Sequence, residues 1–322
     1  MAEVAGPSRS RELLRQSYGL IQSLAVLLVL VVVMSILSPR FLSWINIANL
    51  MGQMAVPLIV AAGMTIVMIA GEFDISVGSV VALSAAVSAV VMLQHGIAAG
   101  VLVSLLIGPA IGWLNGVVTT KGRIPSFIVT LGTMMMARSL AFVTTGGQVV
   151  SDLPEAFKAL GQARPWGVPL TFLIALLTYA VGWFVLTRTA FGKRVYAVGA
   201  NRMVATLSGI RADRVRIQYM MIVGFTAAFA GNLLLARIGA IRAATARGLG
   251  FEVITAVVIG GTSLYGGQGN ILRTIIGVII IALIRNFLSL SRIAIFWQDF
   301  ATGAIIIAAV LLDALQKRVG RG

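Results

Sequence analysis

The longest polar and basic run between two apolar segments of this sequence is Phe191-Gly-Lys-Arg-Val-Tyr-Ala-Val-Gly-Ala-Asn-Arg-Met-Val-Ala-Thr-Leu-Ser-Gly-Ile210. A chain this apolar does not keep so polar a loop inside a bilayer, so the run predicts a cytoplasmic loop. Its middle has the pattern of a short helix that Asn201 caps and Gly209 ends. The pattern fits either a solvated connector or a docking surface for a soluble partner.

The composition defines the class of protein. Of 322 residues, 59% are hydrophobic and 11% are charged, and the mean hydropathy is +0.99. Soluble domains have about 45–50% apolar and about 25% charged residues. The long, uninterrupted apolar runs disfavour a β-barrel. At about 20 residues per span, the length predicts an all-α polytopic membrane protein with about ten transmembrane helices.

The net charge of +15 would fit a nucleic-acid partner if the charge were spread evenly, but it is not. We place about 16 of the 25 Lys and Arg on one side of the predicted membrane topology. They lie in the N-terminal tail, the 121–123 turn, the 188–216 loop, Arg273 and the C-terminal tail. This positive-inside pattern predicts membrane lipid, and no nucleic acid, as the counter-surface.

Several site chemistries are excluded by what the sequence lacks. There is no Cys, so disulfides and thiolate chemistry are ruled out, and the only His, His95, reads as an interfacial loop residue. No metal-ligand spacing, phosphate-binding Lys-Ser/Thr motif or paired catalytic carboxylates occur. We therefore expect no catalytic residue, no metal and no cofactor in this chain.

The chain is predicted to form one transmembrane domain, residues 19–315, between cytoplasmic tails at 1–18 and 316–322. A loop at 188–213 belongs to that domain and also lies in the cytoplasm. The predicted spans are 20–37, 45–70, about 79–93, 96–119, one opening at 124, 167–186, 217–235, a short helix from 253, 275–290 and 297–312. Val67–Gly71 and Val257–Gly261 each precede a turn and a span, which is typical of transporters built from two duplicated halves.

Two groups of polar residues are candidates for a pathway or a gate. Asp74 and Ser76 lie in the turn 71–79, where they fit either a helix cap or a gating element. Asn115 lies in the fourth span among small residues, which favour close helix packing. Phe127, Thr130 and Thr133 recur at helical spacing and predict one face with an aromatic ring and two hydroxyls. That face suits a sugar, and it also suits hydrogen bonds between helices.

Charged residues on the predicted outer side are candidates for binding a delivery protein. Residues 144–166 form the longest predicted external segment, and a second external loop covers 237–252. Three arginines on the outer side run against the positive-inside bias, so they fit either partner contacts or water-facing charges. The candidates are Arg237, Arg242, Arg247, Asp152 and Glu155.

Four motifs resemble those of ABC importer permeases for monosaccharides, the ribose/xylose/galactose type. They are the opening stretch 191–210, Gly71-Glu-Phe-Asp-Ile-Ser-Val-Gly78, Ile124-Pro-Ser-Phe-Ile-Val-Thr-Leu-Gly132 and Val257-Val-Ile-Gly-Gly-Thr-Ser-Leu-Tyr-Gly-Gly-Gln-Gly269. Glu72 replaces a family glycine, and Gln268 stands where Arg is common. The resemblance extends over about residues 45 to 313.

The resemblance implies a permease subunit in a bacterial plasma (inner) membrane, paired with a second copy or a paralogue. It implies an ATPase subunit, carrying ATP and Mg, docked on a cytoplasmic coupling helix, and a periplasmic or surface-tethered sugar-binding protein. The implied ATPase-coupling residues are Gly192, Lys193, Arg194, Tyr196, Gly199, Asn201, Arg202, Ala205, Ser208 and Gly209. The alternative is an ion-coupled secondary transporter, which normally needs ionisable residues within its spans, whereas these span interiors read as nearly charge-free.

Overall fold

The computed structural model describes residues 24–294 and, beyond them, residues 297, 298, 300, 301, 303–305, 307, 308 and 311. The predicted tails at 1–18 and 316–322 lie outside these residues, and the predicted last span is described only in part. The helices up to residue 290 are α1 Leu24–Leu37, α2 Trp44–Ile69, α3 Val77–His95, α4 Ile97–Lys121, α5 Ser126–Thr145, α6 Glu155–Gln162, α7 Leu170–Arg188, α8 Ala190–Ala200, α9 Arg202–Leu207, α10 Ala212–Ile238, α11 Leu249–Ile259 and α12 Ile271–Leu290.

The protein is an all-α polytopic membrane protein, as its composition predicts. Among the described residues, seven helices are long and apolar enough to cross a membrane: α2, α3, α4, α5, α7, α10 and α12. The predicted number of about ten spans is not reached in this part of the chain. The described part of the first span is the short apolar helix α1, and α11 has only 11 residues, about 16 Å of helix.

The core of the bundle is built around α2. This helix is apolar on all sides, and 89% of its most apolar 18-residue stretch is buried. It packs against α7, α10, α11 and α12, while α10 also packs along α3 and α4. In contrast, only 22% of the most apolar 18-residue stretch of each of α4, α5 and α7 is buried, so these helices offer their surface to lipid or to other subunits.

Glycines let α4 and α10 approach each other closely, as the small residues of the fourth span predict. A Cβ on Gly108 would lie 2.1 Å from the Gly224 carbonyl oxygen, and one on Gly112 would lie 2.1 Å from that of Met220. A Cβ on Gly116 would lie 2.8 Å from the Ile217 Cα. The four-residue spacing of these glycines forms the small-residue stripe by which membrane helices pack backbone to backbone.

The turns that end α2 and α11 have the same geometry. Glu72 N–H donates to the Val67 carbonyl at 3.1 Å, and Thr262 N–H donates to that of Val257 at 3.2 Å. Gly71 and Gly261 both have a positive φ, +80° and +84°. This match agrees with two duplicated halves. However, the same kind of cap also ends α9 at Gly209, so the match does not test the duplication, which stays a prediction.

Candidate functional site

The loop at residues 188–213, called here the coupling segment, consists of two helices. Thr189 caps α8 by accepting a hydrogen bond from Gly192 N–H, and Asn201 caps α9 by accepting one from Val204 N–H at 3.1 Å. Gly209 ends α9 with φ +83°, a conformation that glycine adopts without strain. The predicted caps of the short helix are confirmed, whereas α8 is a helix that the sequence interpretation treats as loop.

The outer surface of α9 is apolar. Met203 is 75% exposed, Val204 56% and Leu207 82%, although the segment otherwise carries many cations. The predicted coupling residues divide into two sets. Those on the outer surface are Lys193, Arg194, Asn201, Arg202, Ser208 and Gly209. Those that pack or bond toward the bundle are Gly192, Tyr196, Gly199 and Ala205.

The inward-facing residues place α8 on the end of α2 and on the glycine-rich loop that follows α11. A Cβ on Gly199 would lie 1.9 Å from the Ile69 carbonyl oxygen, which also accepts a hydrogen bond from Gly267 N–H at 2.8 Å. The Tyr196 hydroxyl donates to the Gly269 carbonyl at 2.8 Å. The coupling segment therefore touches the end of α2 and the loop 260–270 between α11 and α12, at one end of the bundle, called here the coupling end.

Gly192 does not have the position that its predicted role requires. A Cβ there would lie 2.1 Å from the Leu186 carbonyl oxygen, so this glycine permits the sharp α7–α8 junction. It is buried against its own chain, not on a surface that a partner reaches.

The pathway candidates Asp74, Ser76 and Asn115 form one buried polar cluster. Asp74 Oδ1 accepts hydrogen bonds from Ser76 N–H at 2.8 Å and from the Ser76 hydroxyl at 2.5 Å. Asn115 on α4 donates to the Ser76 hydroxyl at 3.4 Å. Asp74 is only 2% exposed, and its burial raises the pKa of the carboxyl above the ordinary value, although hydrogen bonds from Ser76 and Asn115 act in the opposite direction.

Hydroxyl groups of α5 fasten the same turn. The Thr133 hydroxyl donates to Asn115 Oδ1 at 2.6 Å, and Ile75 N–H donates to the Thr130 hydroxyl at 3.2 Å. Phe73 N–H donates to the Ser126 hydroxyl at 3.4 Å. These hydroxyls therefore hold α5 against the turn 70–76.

Phe127 does not share the face of the two threonines. It is 50% exposed, while Thr130 and Thr133 are buried at 0% and 4%. Six residues of α-helix advance by about 600°, which places positions 127 and 133 roughly 120° apart. The predicted sugar-binding face with one ring and two hydroxyls is therefore wrong as a single surface.

Glu72, whose charge had no role in the sequence interpretation, forms an ion pair with Arg216 of α10. Both side chains are buried, at 12% and 10% exposure. Arg216 also donates to the Thr119 carbonyl of α4 at 3.3 Å. The substitution of a family glycine by Glu72 thus has a partner that lies far along the chain.

The opposite end of the bundle, called here the far end, carries the predicted ledge. Val150 and Ile241 exchange both backbone hydrogen bonds of an antiparallel bridge. Asp152 and Glu155 are exposed there, and Glu155 pairs with Lys158 at 2.5 Å. Arg237 is partly buried and lines a pocket of about 310 Å³ together with Thr171 and the exposed residues Asn49, Gln53, Gln162 and Arg164.

Residues 240–248, called here the descending segment, do not form the external loop that the sequence predicts. Ala243 packs among Leu83 and Ala86 of α3 and Ala137 and Ala141 of α5, at the middle of both helices. The Ala246 carbonyl oxygen would lie 2.7 Å from a Cβ on Gly78, near the start of α3. Starting at the far end, this irregular backbone descends between two spanning helices.

Arg138, in the middle of α5, fixes the descending segment and was missed by the sequence interpretation. One of its terminal nitrogens donates to the carbonyls of Ala243 at 2.5 Å and Thr245 at 2.7 Å. The expectation of nearly charge-free span interiors is therefore wrong at Arg138. Its position inside a span is visible in the sequence, but the carbonyls it binds are not.

The descending segment separates the three arginines that the sequence analysis groups together. Arg242 follows the Val150–Ile241 bridge near the far end and is exposed. Arg247 is also exposed, but it lies beyond Ala243 and directly after Ala246, whose carbonyl is near Gly78 at the start of α3. Arg247 is therefore not on the far-end surface where the prediction places it.

Comparison with known proteins identifies the family. The family described as "branched-chain amino acid transport system / permease component" matches residues 46–310. The ribose import permease protein RbsC of Bacillus subtilis is 37% identical over 291 residues, 89% of this chain and 90% of the relative. The L-arabinose ABC transporter permease protein AraH of Azospirillum brasilense is 34% identical over 316 residues, 98% and 93% of the two chains.

A third relative is the autoinducer 2 import system permease protein LsrC of Yersinia pseudotuberculosis, which is 34% identical over 293 residues, 90% of this chain and 83% of the relative. No solved structure matches the chain. These relatives favour an ABC permease over the alternative of an ion-coupled secondary transporter. The chain therefore belongs to this family of transport-system permease components, and its resemblance to monosaccharide-type ABC importer permeases is confirmed.

Proposed function

We propose that this chain forms the translocation pathway of an ATP-driven importer for a monosaccharide or a similar small polyhydroxylated solute. Relatives that match along nearly the whole chain are named for import of ribose, L-arabinose and autoinducer 2. ATP hydrolysis takes place in a separate ATPase subunit that binds ATP and Mg, and the chain itself is not an enzyme. The importer lies in a bacterial inner membrane.

The exposed apolar surface of α9 is the observation that carries the proposal. Met203, Val204 and Leu207 are each more than half exposed on a helix that is flanked by polar and basic residues. Such an apolar surface is costly to leave in water, and contiguous exposed apolar residues of this kind mark interaction sites. A short amphipathic helix of this kind fits into an apolar groove of a soluble partner, which we take to be the ATPase subunit.

The contacts of α8 suggest how movement of that partner reaches the membrane. Because Gly199 and Tyr196 touch the end of α2 and the loop 260–270, a displacement of the coupling segment pushes on both elements at once. The turn after α2 is fastened to α4 and α5 by the buried cluster around Asp74 and Ser76. In this mechanism the cluster is a gating element that holds these helices together in one of the two access states.

The remaining partners follow from surfaces that this chain leaves open. The largely exposed helices α4, α5 and α7 offer contact area for a second permease copy or a paralogue as well as for lipid. We place the coupling end and both termini in the cytoplasm, in accordance with the positive-inside bias. The far end then receives a sugar-binding protein, for which Asp152, Glu155 and Arg242 remain docking candidates.

The test is co-purification of an ATPase from detergent-solubilised native membranes, followed by an ATPase assay. The double variant Met203→Asp/Leu207→Asp should lose the ATPase, since two carboxylates cannot enter an apolar groove without a large desolvation cost. Leu160→Asp is the matched control, because Leu160 is 60% exposed on α6 at the far end, and it should retain the ATPase. If the wild-type chain brings down no ATPase and uptake stops when the proton or sodium gradient is removed, the proposal is wrong.

A further inference from the structure

The descending segment lies at a depth where irregular backbone is not exposed to lipid. Ala243 is at the level of Ala86, the middle of α3, and Arg138 at the middle of α5 holds the Ala243 and Thr245 carbonyls. Non-helical backbone at membrane depth occurs only where it is buried in protein or lines a water-filled cavity. The exposed parts of this segment therefore require water or another subunit beside them.

The exposure pattern identifies which side of the segment meets water. Ile241 and Ala243 are buried, whereas Arg242 and Ala244 are exposed, so one side of the segment packs on the helices and the other side is open. Arg247 is exposed as well. Ala246 adopts φ +58°, a conformation that is uncommon for residues other than glycine and that tends to cluster at functional sites.

The charged side chains of this surface are those of Arg138 and Arg247. None of the ion pairs among the described residues includes Arg138 or Arg247. An arginine exposed to hydrocarbon is very costly, so ionisable residues at this depth mark solute pathways.

A second permease copy cannot neutralise this surface with its described carboxylates. Glu72 and Asp74 are buried, and Glu252 pairs with Arg285. Asp152 and Glu155 are at the far end, and Asp213 pairs with Arg202 at the coupling end. If this face meets its counterpart in a dimer, these carboxylates leave its arginines unpaired, which favours water between the two copies.

We propose that the descending segment and Arg138 line the solute pathway halfway across the membrane and that Arg247 contacts the solute there. This inference rests on the proposed function, because it names the surface that the transported solute contacts. Guanidinium groups donate several hydrogen bonds in a fixed planar arrangement. They suit a solute whose clustered hydroxyl oxygens accept hydrogen bonds. Arg138 acts as a positioning residue, because its guanidinium donates hydrogen bonds to the segment backbone.

Because the chain contains no Cys, a single cysteine introduced into it is the only thiol of this chain that a reagent can modify. The experiment uses Ala244→Cys and Arg247→Cys in native membranes, with a membrane-impermeant cationic methanethiosulfonate reagent. The matched control is Leu106→Cys, in the middle of α4 and 72% exposed. We expect both segment cysteines to react at least about tenfold faster than Leu106→Cys, because only the thiolate in water is nucleophilic.

Two results would overturn the inference. One is an Ala244→Cys variant that reacts as slowly as Leu106→Cys while Ser151→Cys, at the exposed far end, reacts rapidly. The other is Arg247→Gln with uptake of D-ribose and L-arabinose unchanged. We expect Arg247→Gln to lose uptake and to keep its ATPase partner, and Arg247→Lys to recover part of the uptake.

The thiol-reactivity arm needs no ATPase, so it separates this inference from the proposed function. Reactive segment cysteines in a chain that binds no ATPase would leave the water-lined surface standing and remove the ABC mechanism. Unreactive cysteines in a chain that does bind its ATPase would remove the surface and leave the mechanism standing.

Discussion

Glu72, in the turn after α2, forms a buried ion pair with Arg216 of α10, and the pair joins the turn to the helix that packs along α2, α3 and α4. Arg216 also donates to the Thr119 carbonyl. The pair therefore ties together three elements close to the coupling segment. A buried pair of this kind stabilises little overall, but removal of one partner leaves an uncompensated charge.

Glu72→Gln is therefore expected to lower the free energy of unfolding by about 3–5 kcal/mol. The double variant Glu72→Gln/Arg216→Gln should lose less free energy of unfolding than the sum of the losses of the two single variants, because the double variant retains no buried charge. Thermal unfolding of the purified chain in detergent, monitored by the five tryptophans, measures all three. Equal and additive losses would show that the two side chains are not coupled.

Asp74 gives a pH dependence whose sign follows from its burial. Its pKa is raised in the folded protein, mainly by desolvation. The stability linked to this carboxyl is therefore fully present below about pH 4 and is lost as the pH rises through the folded-state pKa. Asp74→Asn keeps an oxygen that accepts the Ser76 N–H and removes the ionisation.

We expect Asp74→Asn to raise the melting temperature at pH 7 and to flatten its dependence on pH between about 4 and 7. Asp152→Asn serves as the control, since Asp152 is exposed at the far end and should leave the melting temperature unchanged. A lower melting temperature for Asp74→Asn at pH 7 would mean that the carboxylate is stabilised by its hydrogen bonds more than it is destabilised by burial.

Local chemistry explains what the sequence predicts correctly. The start and end of α9 follow from Asn201 and Gly209, because capping depends on residues within a few positions of the helix end. The close packing of α4 follows from its small residues, since glycine spacing is itself the packing surface. The short α11 is also predicted, because glycines interrupt its apolar run.

Features that depend on distant packing are not predictable in this way. Ile241-Arg-Ala-Ala-Thr-Ala-Arg247 reads as a polar external loop, and only the gap between α3 and α5 decides that it descends into the bundle. Glu72 has no meaning until Arg216 is beside it. The threonines of α5 are recognisable as a polar stripe, but their side toward the turn 70–76 depends on how α5 is rotated against α3 and α4.

Gly199→Ala is expected to separate ATP hydrolysis from transport. A Cβ at this position would meet the Ile69 carbonyl 1.9 Å away, so α8 must move off the end of α2. Overpacking of this kind costs about 1–3 kcal/mol, which displaces the segment without unfolding the chain. We expect ATPase binding to persist and solute uptake in proteoliposomes to fall by about tenfold.

Gly132→Ala is the matched control for Gly199→Ala, because it is also a helical glycine but has no neighbour within 4 Å of the added methyl group. It should leave both activities unchanged. Normal uptake by Gly199→Ala would show that the contact between α8 and the turn after α2 does not transmit the movement.

At Gly209, the effect of the backbone conformation at the end of α9 can be tested apart from the effect of side-chain size. Its φ is +83°, yet nothing lies within 4 Å of an added Cβ, so a substitution there acts through backbone strain and not through collision within this chain. Gly209→Val places a β-branched residue in the left-handed region, where such residues are strongly disfavoured, and should reshape the end of α9. Asparagine at position 209 tolerates the same φ much better.

We therefore expect Gly209→Val to hydrolyse ATP without transport and Gly209→Asn to retain most of its coupling, as measured by the ratio of solute taken up to ATP hydrolysed. If both variants lose coupling equally, the open space beside Gly209 is occupied by the ATPase subunit in the assembled importer, and the size of the side chain matters more than the conformation of the backbone.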